Sequence, residues 1–168
     1  KIVSSRKIER IVIFTVYREN WEPYMKKYTE VFQSHFPNLN TDYLLLDTEQ
    51  IDFDSYLDAD VIIIGGGNTE KYLATYVNQE LKNYIERMLN KGAKVIGFSA
   101  GALLLGEKVY VSPNDNSDHQ MKIKDGLGLF SQFLISVHYD SWNDKANKDR
   151  AEELVNVPII PLNDHSCL

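Results

Sequence analysis

The chain has 168 residues, 43% of them hydrophobic and 25% charged, which suits one compact globular domain with a real core. A formal net charge of −6 sets its surface against phosphate backbones and argues against nucleic acid as a partner. Its single cysteine, Cys167, excludes an internal disulfide and fits a reducing, cytoplasmic setting, and the longest strongly apolar run, Val61 to Ile64, falls far short of the ~20 residues that a membrane span needs.

Taken in chain order, short apolar runs alternate with longer amphipathic stretches. Ile11 to Val16 (IVIFTV) is rich in β-branched residues and reads as a buried strand. Trp21, Tyr24, Tyr28, Val31, Phe32 and then His35 or Phe36 recur at helical spacing, and Pro37 ends that helix. Tyr43 to Leu46 reads as a second strand and Val61 to Ile64 as a third, followed at once by Gly65-Gly66-Gly67. One long helix is expected next, with Leu73, Val77, Leu81, Tyr84, Ile85, Met88 and Leu89 on one face and Gly92 as its cap. Lys94 to Phe98 is a fourth strand, with a turn at Ser99 and a short helix from Ala100. Val109 to Val111 reads as a short strand, Ser112 to His119 as a polar loop, and Phe133 to Val137 as a strand ending at His138. Asp149 to Val155 reads as helix and Ile159 to Leu162 as strand.

Strands alternating with helices imply an α/β fold with a mostly parallel sheet covered on both faces. Ligands of such sheets bind beyond the carboxyl ends of the strands. Gly65 to Asn68, Ser99 and His138 all fall at such ends. A single domain over 1–168 is expected. The chain opens on Lys1 rather than Met and stops at Leu168 inside what reads as the start of a strand, so segments are expected to be missing at one or both ends. No signal-peptide pattern is read at its start.

Gly97-Phe98-Ser99-Ala100-Gly101 matches G-x-S-x-G between a strand and a helix. A nucleophilic serine has to stand clear of the sheet on a sharp, strained turn, where flanking side chains would collide, and Gly97 and Gly101 carry none. The first N–H groups of the following helix are unpaired, so the Ala100 N–H is placed to donate to an oxyanion. Gly65-Gly66-Gly67-Asn68-Thr69 lets backbone approach a ligand closely and can supply the second donor; a plain tight turn is the alternative. It lacks G-x-G-x-x-G and the G-K-[ST] ending of a phosphate loop.

A serine hydroxyl needs a base. Of His35, His119, His138 and His165, His138 is the best placed, at a strand's carboxyl end level with the serine turn. The base needs an acceptor on its other ring nitrogen, and Asp115, Asp118, Asp140 and Asp164 are available. With no HExxH and no cysteine cluster, no metal site is expected, and no cofactor.

GGGNT after a strand, then GFSAGA, then a loop with Asn114-Asp115, then a strand ending His138-Tyr139-Asp140 resembles the dipeptidase E family of serine peptidases, to whose broader group the cyanophycinases belong. The resemblance runs from about Ile11 to Leu168 and implies a three-layer α/β sandwich similar to class I glutamine amidotransferases (flavodoxin-like). It implies Ser99 as nucleophile, His138 as general base, Asp115 as the first-ranked third member with Asp164 as the alternative, and backbone N–H groups of Ala100 and of Gly66 and Gly67 as oxyanion donors. The implied partner is a small peptide substrate, N-terminal Asp dipeptides being one class it admits, with no nucleic acid and no membrane; a homodimer is left open. Two other readings stand beside this one. An esterase of the α/β-hydrolase type shares G-x-S-x-G, although such domains are usually longer. A non-catalytic ligand-binding or regulatory module on the same fold is the second; glutamine amidotransferase activity is disfavoured because the nucleophile turn carries serine and Cys167 lies elsewhere.

Overall fold

Four strands form the centre of the molecule, seen in a computed structural model that describes residues 7–48 and 50–168. The domain read over 1–168 therefore includes a first six residues and Glu49 that lie outside the described residues. Strand β1 (Arg10–Phe14) pairs on one side with β2 (Asn40–Leu44) and on the other with β3 (Val61–Ile64), and β3 pairs with β4 (Lys94–Gly97). All three pairings are parallel, in the order β2-β1-β3-β4. The register sets Phe14 opposite Ile64 and Ile64 opposite Gly97, so the strands end level and the turns that follow them lie side by side.

Burial on both faces explains the unbroken apolar runs. Ile11 and Ile13 of β1 and Val61 and Ile63 of β3 point to one face and pack with Met25 and Tyr28 of helix α1 (Trp21–His35). Val12, Phe14, Ile62 and Ile64 point to the other face, against Tyr72 and Tyr76 of α2 (Thr69–Tyr76) and Leu81, Tyr84, Ile85 and Met88 of α3 (Gln79–Asn90). Each fully buried aliphatic side chain here contributes about 1.5–3 kcal/mol relative to exposure. The result is a three-layer α/β sandwich around a mostly parallel sheet, as the strand and helix alternation implied.

The single helix expected across Leu73 to Leu89 is two. Asn78 adopts extended backbone (φ −144°, ψ 159°), and its side chain accepts from the Leu81 N–H at 2.8 Å, which starts α3 as a separate helix. An internal asparagine that caps the turn behind it competes with helix continuation.

Beyond the short helix α4 (Ala100–Leu103), β5 (Lys108–Val111) forms an antiparallel pair with β6 (Lys122–Asp125), a strand that no sequence pattern marks. Strands β7 (Leu134–Ser136) and β8 (Ile159–Pro161) form a parallel pair joined through helix α5 (Lys145–Val155). A cluster of Leu103, Val109, Val111, Ile135 and Val137 ties α4, the hairpin and β7 together. Among the described residues no helix is long and apolar enough to cross a membrane.

Candidate active site

The turn after β4 is built as the glycine pattern requires. Ser99 sits at φ 50°, ψ −118°, a conformation that L-residues rarely adopt and that the surroundings must hold. A Cβ on Gly97 would lie 2.5 Å from the Ala102 Cα, and one on Gly101 would overlap the carbonyls of Ile64 and Gly65. Side chains at either position would push the turn off the sheet. Behind Ser99 the chain closes at once into helix α4, with Ala102 and Leu103 N–H groups donating to the Ser99 carbonyl at 2.8 and 3.1 Å. The Ala100 N–H, first in that helix, has no carbonyl in its own helix to reach.

The glycine turn after β3 abuts this elbow. A Cβ on Gly66 would stand 3.1 Å from the Ser99 Cβ and 3.2 Å from the Phe98 carbonyl oxygen, so glycine allows the two loops to touch. The turn ends where the Asn68 side chain accepts from the Lys71 N–H at 2.8 Å and caps α2. The Gly66 N–H, expected as an oxyanion donor, donates here to the Tyr28 hydroxyl over a long 3.3 Å. Tyr28 comes from α1, and its ring lies 4.6 Å from that of Phe98. Burial pushes its phenol pKa well up, so the hydroxyl keeps its proton at neutral pH.

His138 stands just past the end of β7, also with left-handed backbone (φ 53°). Its Nε2 lies 2.8 Å from the Ser99 Oγ, and its Nδ1 bonds the Asp164 carboxylate. The β7-β8 pairing brings Asp164 there. Leu162 N–H donates to the Ser136 carbonyl at 2.8 Å, and Tyr139 N–H donates to the Leu162 carbonyl at 3.1 Å, so the segments leaving both strands stay together. With Nδ1–H donated to Asp164, Nε2 is left as the lone-pair nitrogen facing the serine hydroxyl. The hydrogen bond to His138, with a second from Ser141, holds the Asp164 carboxyl below its ordinary range. The Trp142 ring covers the imidazole at 4.7 Å between centroids.

Asp115, ranked first for the position behind His138, is not on its ring. It lies in a 3-10 turn (Pro113–Asp115), and its Oδ2 accepts from the Thr69 Oγ1 at 2.6 Å. Burial raises its carboxyl pKa, opposed by the Thr69 hydrogen bond and by the charge of His138. Asp118 pairs with Lys122 at 2.9 Å and Asp140 accepts from Asn163 at 2.9 Å, both at the surface. The structure thus joins Ser99, His138 and Asp164 and leaves Asp115 beside them on Thr69. His35 is exposed on α1, where its Nδ1 lies 2.9 Å from the Val31 carbonyl; His119 and His165 are also exposed. Among the described residues no group of three or more His, Cys, Asp or Glu is arranged to hold a metal ion.

Comparison with known proteins adds the family. The model of peptidase family S51 matches residues 13–168. The chain belongs to peptidase family S51. Among related sequences, peptidase E of Actinobacillus pleuropneumoniae serotype 5b (strain L20) is 32% identical over 103 residues, covering 59% of this chain and 44% of that protein. Peptidase E of Shewanella sp. (strain W3-18-1) is 30% identical over 120 residues, 66% of this chain and 50% of that protein. The chain thus spans about half the length of the curated relatives it matches. Among solved structures, a peptidase from an acI-B1 Actinobacterium superposes with a TM-score of 0.67 at 18% identity, over 92% of this chain and 66% of the other. A candidate peptidase E protein from Listeria monocytogenes EGD-e gives 0.66 at 21% identity, over 96% and 82%. At these identities the structures show the fold alone, and the family match bears out the resemblance carried by GGGNT and GFSAGA.

Sequence reasoning missed Tyr28, Trp142 and Asp144 around this site, and gave Thr69 no role of its own. Thr69 was visible within GGGNT; the others carried no local signal, because it takes the fold to bring α1 and the 138–144 turn to the elbow.

Proposed function

We propose that this chain is a serine-type peptidase acting on small peptides, with Ser99 as nucleophile, His138 as base and Asp164 as the third member. The single observation that carries the reading is the 2.8 Å approach of Ser99 Oγ to His138 Nε2, with Asp164 on the opposite ring nitrogen. A nucleophile in reach of a base, and a base oriented by a carboxylate, is the arrangement that acyl transfer needs.

In this mechanism Ser99 Oγ attacks the scissile carbonyl carbon as its proton passes to His138 Nε2. The carbonyl π electrons move to oxygen, and the resulting oxyanion lies at the start of α4, where the Ala100 N–H donates. The Gly66–Gly67 turn supplies the second donor once substrate displaces the long bond to Tyr28. Asp164 keeps Nδ1 protonated and stabilises the imidazolium. His138 then protonates the leaving amine, the C–N bond breaks, and a water activated by the same imidazole hydrolyses the acyl-enzyme. Each oxyanion donor is worth about 10²–10³ in rate.

The test is a panel of dipeptides, N-terminal Asp dipeptides included, incubated with the chain and with its Ser99→Ala variant, free amine being measured. The reading expects turnover by the former and none by the latter while circular dichroism stays unchanged. Turnover of p-nitrophenyl esters without any dipeptide hydrolysis would favour an esterase, and equal turnover by Ser99→Ala would refute Ser99 as nucleophile.

A further inference from the structure

The most completely buried acidic side chain near the site has no part in the mechanism above. Asp144 is 0% exposed. It occupies the N-cap position of α5, where an aspartate ordinarily turns its carboxylate onto the first free N–H groups of its helix; here the side chain makes no such bond. It points inward instead. Its Oδ2 accepts from the Tyr110 hydroxyl at 2.8 Å and from the Ser136 hydroxyl at 3.3 Å, and its Oδ1 accepts from the Ser112 hydroxyl at 2.7 Å and the Asn147 amide at 3.0 Å. These donors come from β5 and the residue after it, from β7 and from α5. Placing a carboxylate out of water is costly unless donors surround it, and the donors come from three separate elements.

What this carboxylate anchors is the turn that carries His138. From His138 to Asp144 the chain doubles back through Trp142 N–H to the His138 carbonyl at 2.9 Å, Asn143 N–H to the Asp140 carbonyl at 3.1 Å, and Asp144 N–H to the Tyr139 carbonyl at 3.1 Å. Two of its residues, His138 and Asn143, have left-handed backbone (φ 53° and 48°). Such backbone is uncommon outside glycine, and although histidine and asparagine adopt it more readily than most residues, the surroundings have to hold it. The near end of the turn is fixed by β7. Its far end is fixed by Asp144, whose bonds reach back to Ser136, two residues before His138, and across to Ser112. Ser112 also begins the segment whose Asn114 amide donates to the Trp142 carbonyl at 3.2 Å, inside the same turn.

We infer that Asp144 is a positioning residue that holds the 138–144 turn closed, keeping the His138 imidazole on Ser99 without touching substrate itself. This inference rests on the reading of His138 as the base. Loss of the inward carboxylate frees the far end of the turn, His138 relaxes toward ordinary backbone, and Nε2 leaves the serine hydroxyl. A displacement of about 1 Å at a reacting group is enough to cost about 10² in rate.

The experiment measures the rate of Ser99 labelling by a fluorophosphonate in the full chain, for Asp144→Asn and Asp144→Ala, each in the native and the His138→Ala backgrounds. In the native background Asp144→Asn is expected to slow labelling about 10²-fold while thermal melting still reports a folded protein. In the His138→Ala background it is expected to change nothing further, because residues that act through one group are non-additive. Should Asp144→Ala fail to fold, Asp144→Asn and the single-donor variants Ser112→Ala and Ser136→Ala carry the test, the latter two with smaller losses. An unchanged labelling rate in Asp144→Asn, or the same fractional loss in both backgrounds, overturns the positioning role and leaves the proposed function standing. Wild-type labelling in His138→Ala overturns both. A crystal structure of Asp144→Asn checks the geometry without any turnover: a Ser99 Oγ to His138 Nε2 distance still near 2.8 Å contradicts the inference.

Discussion

Asp164 and Asp115 both act on His138, the first by a hydrogen bond and the second through its charge, and replacing each with asparagine separates their roles. Asp164 bonds Nδ1, so Asp164→Asn offers that nitrogen an amide that favours the other tautomer, with Nδ1 bare and the proton on Nε2. In a triad whose aspartate is buried, that change lowers kcat about 10⁴-fold. Here the side chains of His138 and Asp164 are 33% and 43% exposed, so water takes over part of the carboxylate's work and the loss is reduced to roughly 10²–10³-fold. KM is expected to stay within a few-fold, since the carboxylate acts on the transition state. Asp115→Asn keeps an oxygen for the Thr69 hydroxyl and removes a carboxyl that burial already disfavours as an anion. Its expected cost in kcat is less than about tenfold, on the order of a small electrostatic change near the proposed base. The assay is steady-state kinetics on whichever dipeptide the panel identifies, with both variants at matched folded fraction. A larger loss in Asp115→Asn than in Asp164→Asn would refute the assignment of Asp164 to the position behind His138.

The remaining predictions concern the elbow, the core and acid stability. Gly101→Ala drives a methyl into the carbonyls of Ile64 and Gly65, and is expected to destabilise the fold by about 3 kcal/mol or more in urea titration; unchanged stability would contradict the packing of α4 on the β3 turn. Leu81→Ala empties a fully buried position between α3 and the sheet and is expected to cost about 2–5 kcal/mol in the same assay. The pair formed by His138 and Asp164 gives a pH dependence whose sign is fixed. Asp164 has a depressed pKa in the fold, so the unfolded chain binds more protons between that value and the ordinary one of about 3.9, and stability rises with pH through this window. The contribution is present above that window and lost as pH falls through it. Unfolding of Asp164→Asn followed from pH 5 to pH 2 is expected to show a shallower loss, and an identical slope in both proteins would count against the ion pair.

How much of this could be read from the sequence depended on distance along the chain. The Val61–Ile64 strand and the Ser99 elbow are local patterns: an apolar run ended by three glycines, and two glycines that leave room for one partly buried hydroxyl. His138 was legible because a strand precedes it directly. Asp164 was not separable from Asp115, because nothing local records which loop the β7-β8 pairing carries to the far side of the imidazole. The break between α2 and α3 turned on one asparagine whose capping bond outcompeted a continuous helical face. Strand β6 (Lys122–Asp125) escaped notice because Lys-Ile-Lys-Asp has little β-branched character and owes its conformation to pairing with β5. Asp144 lies in a polar stretch that composition alone assigns to the surface, and only the fold turns it inward.

In the proposed mechanism the Ser99 hydroxyl is made nucleophilic by the imidazole beside it. Incubation with a fluorophosphonate followed by peptide mapping in a mass spectrometer tests this directly. One adduct is expected, on Ser99, formed rapidly by the native chain and at least about 10²-fold more slowly by His138→Ala. A native chain that stays unlabelled, or one modified at another hydroxyl with Ser99 untouched, would contradict it.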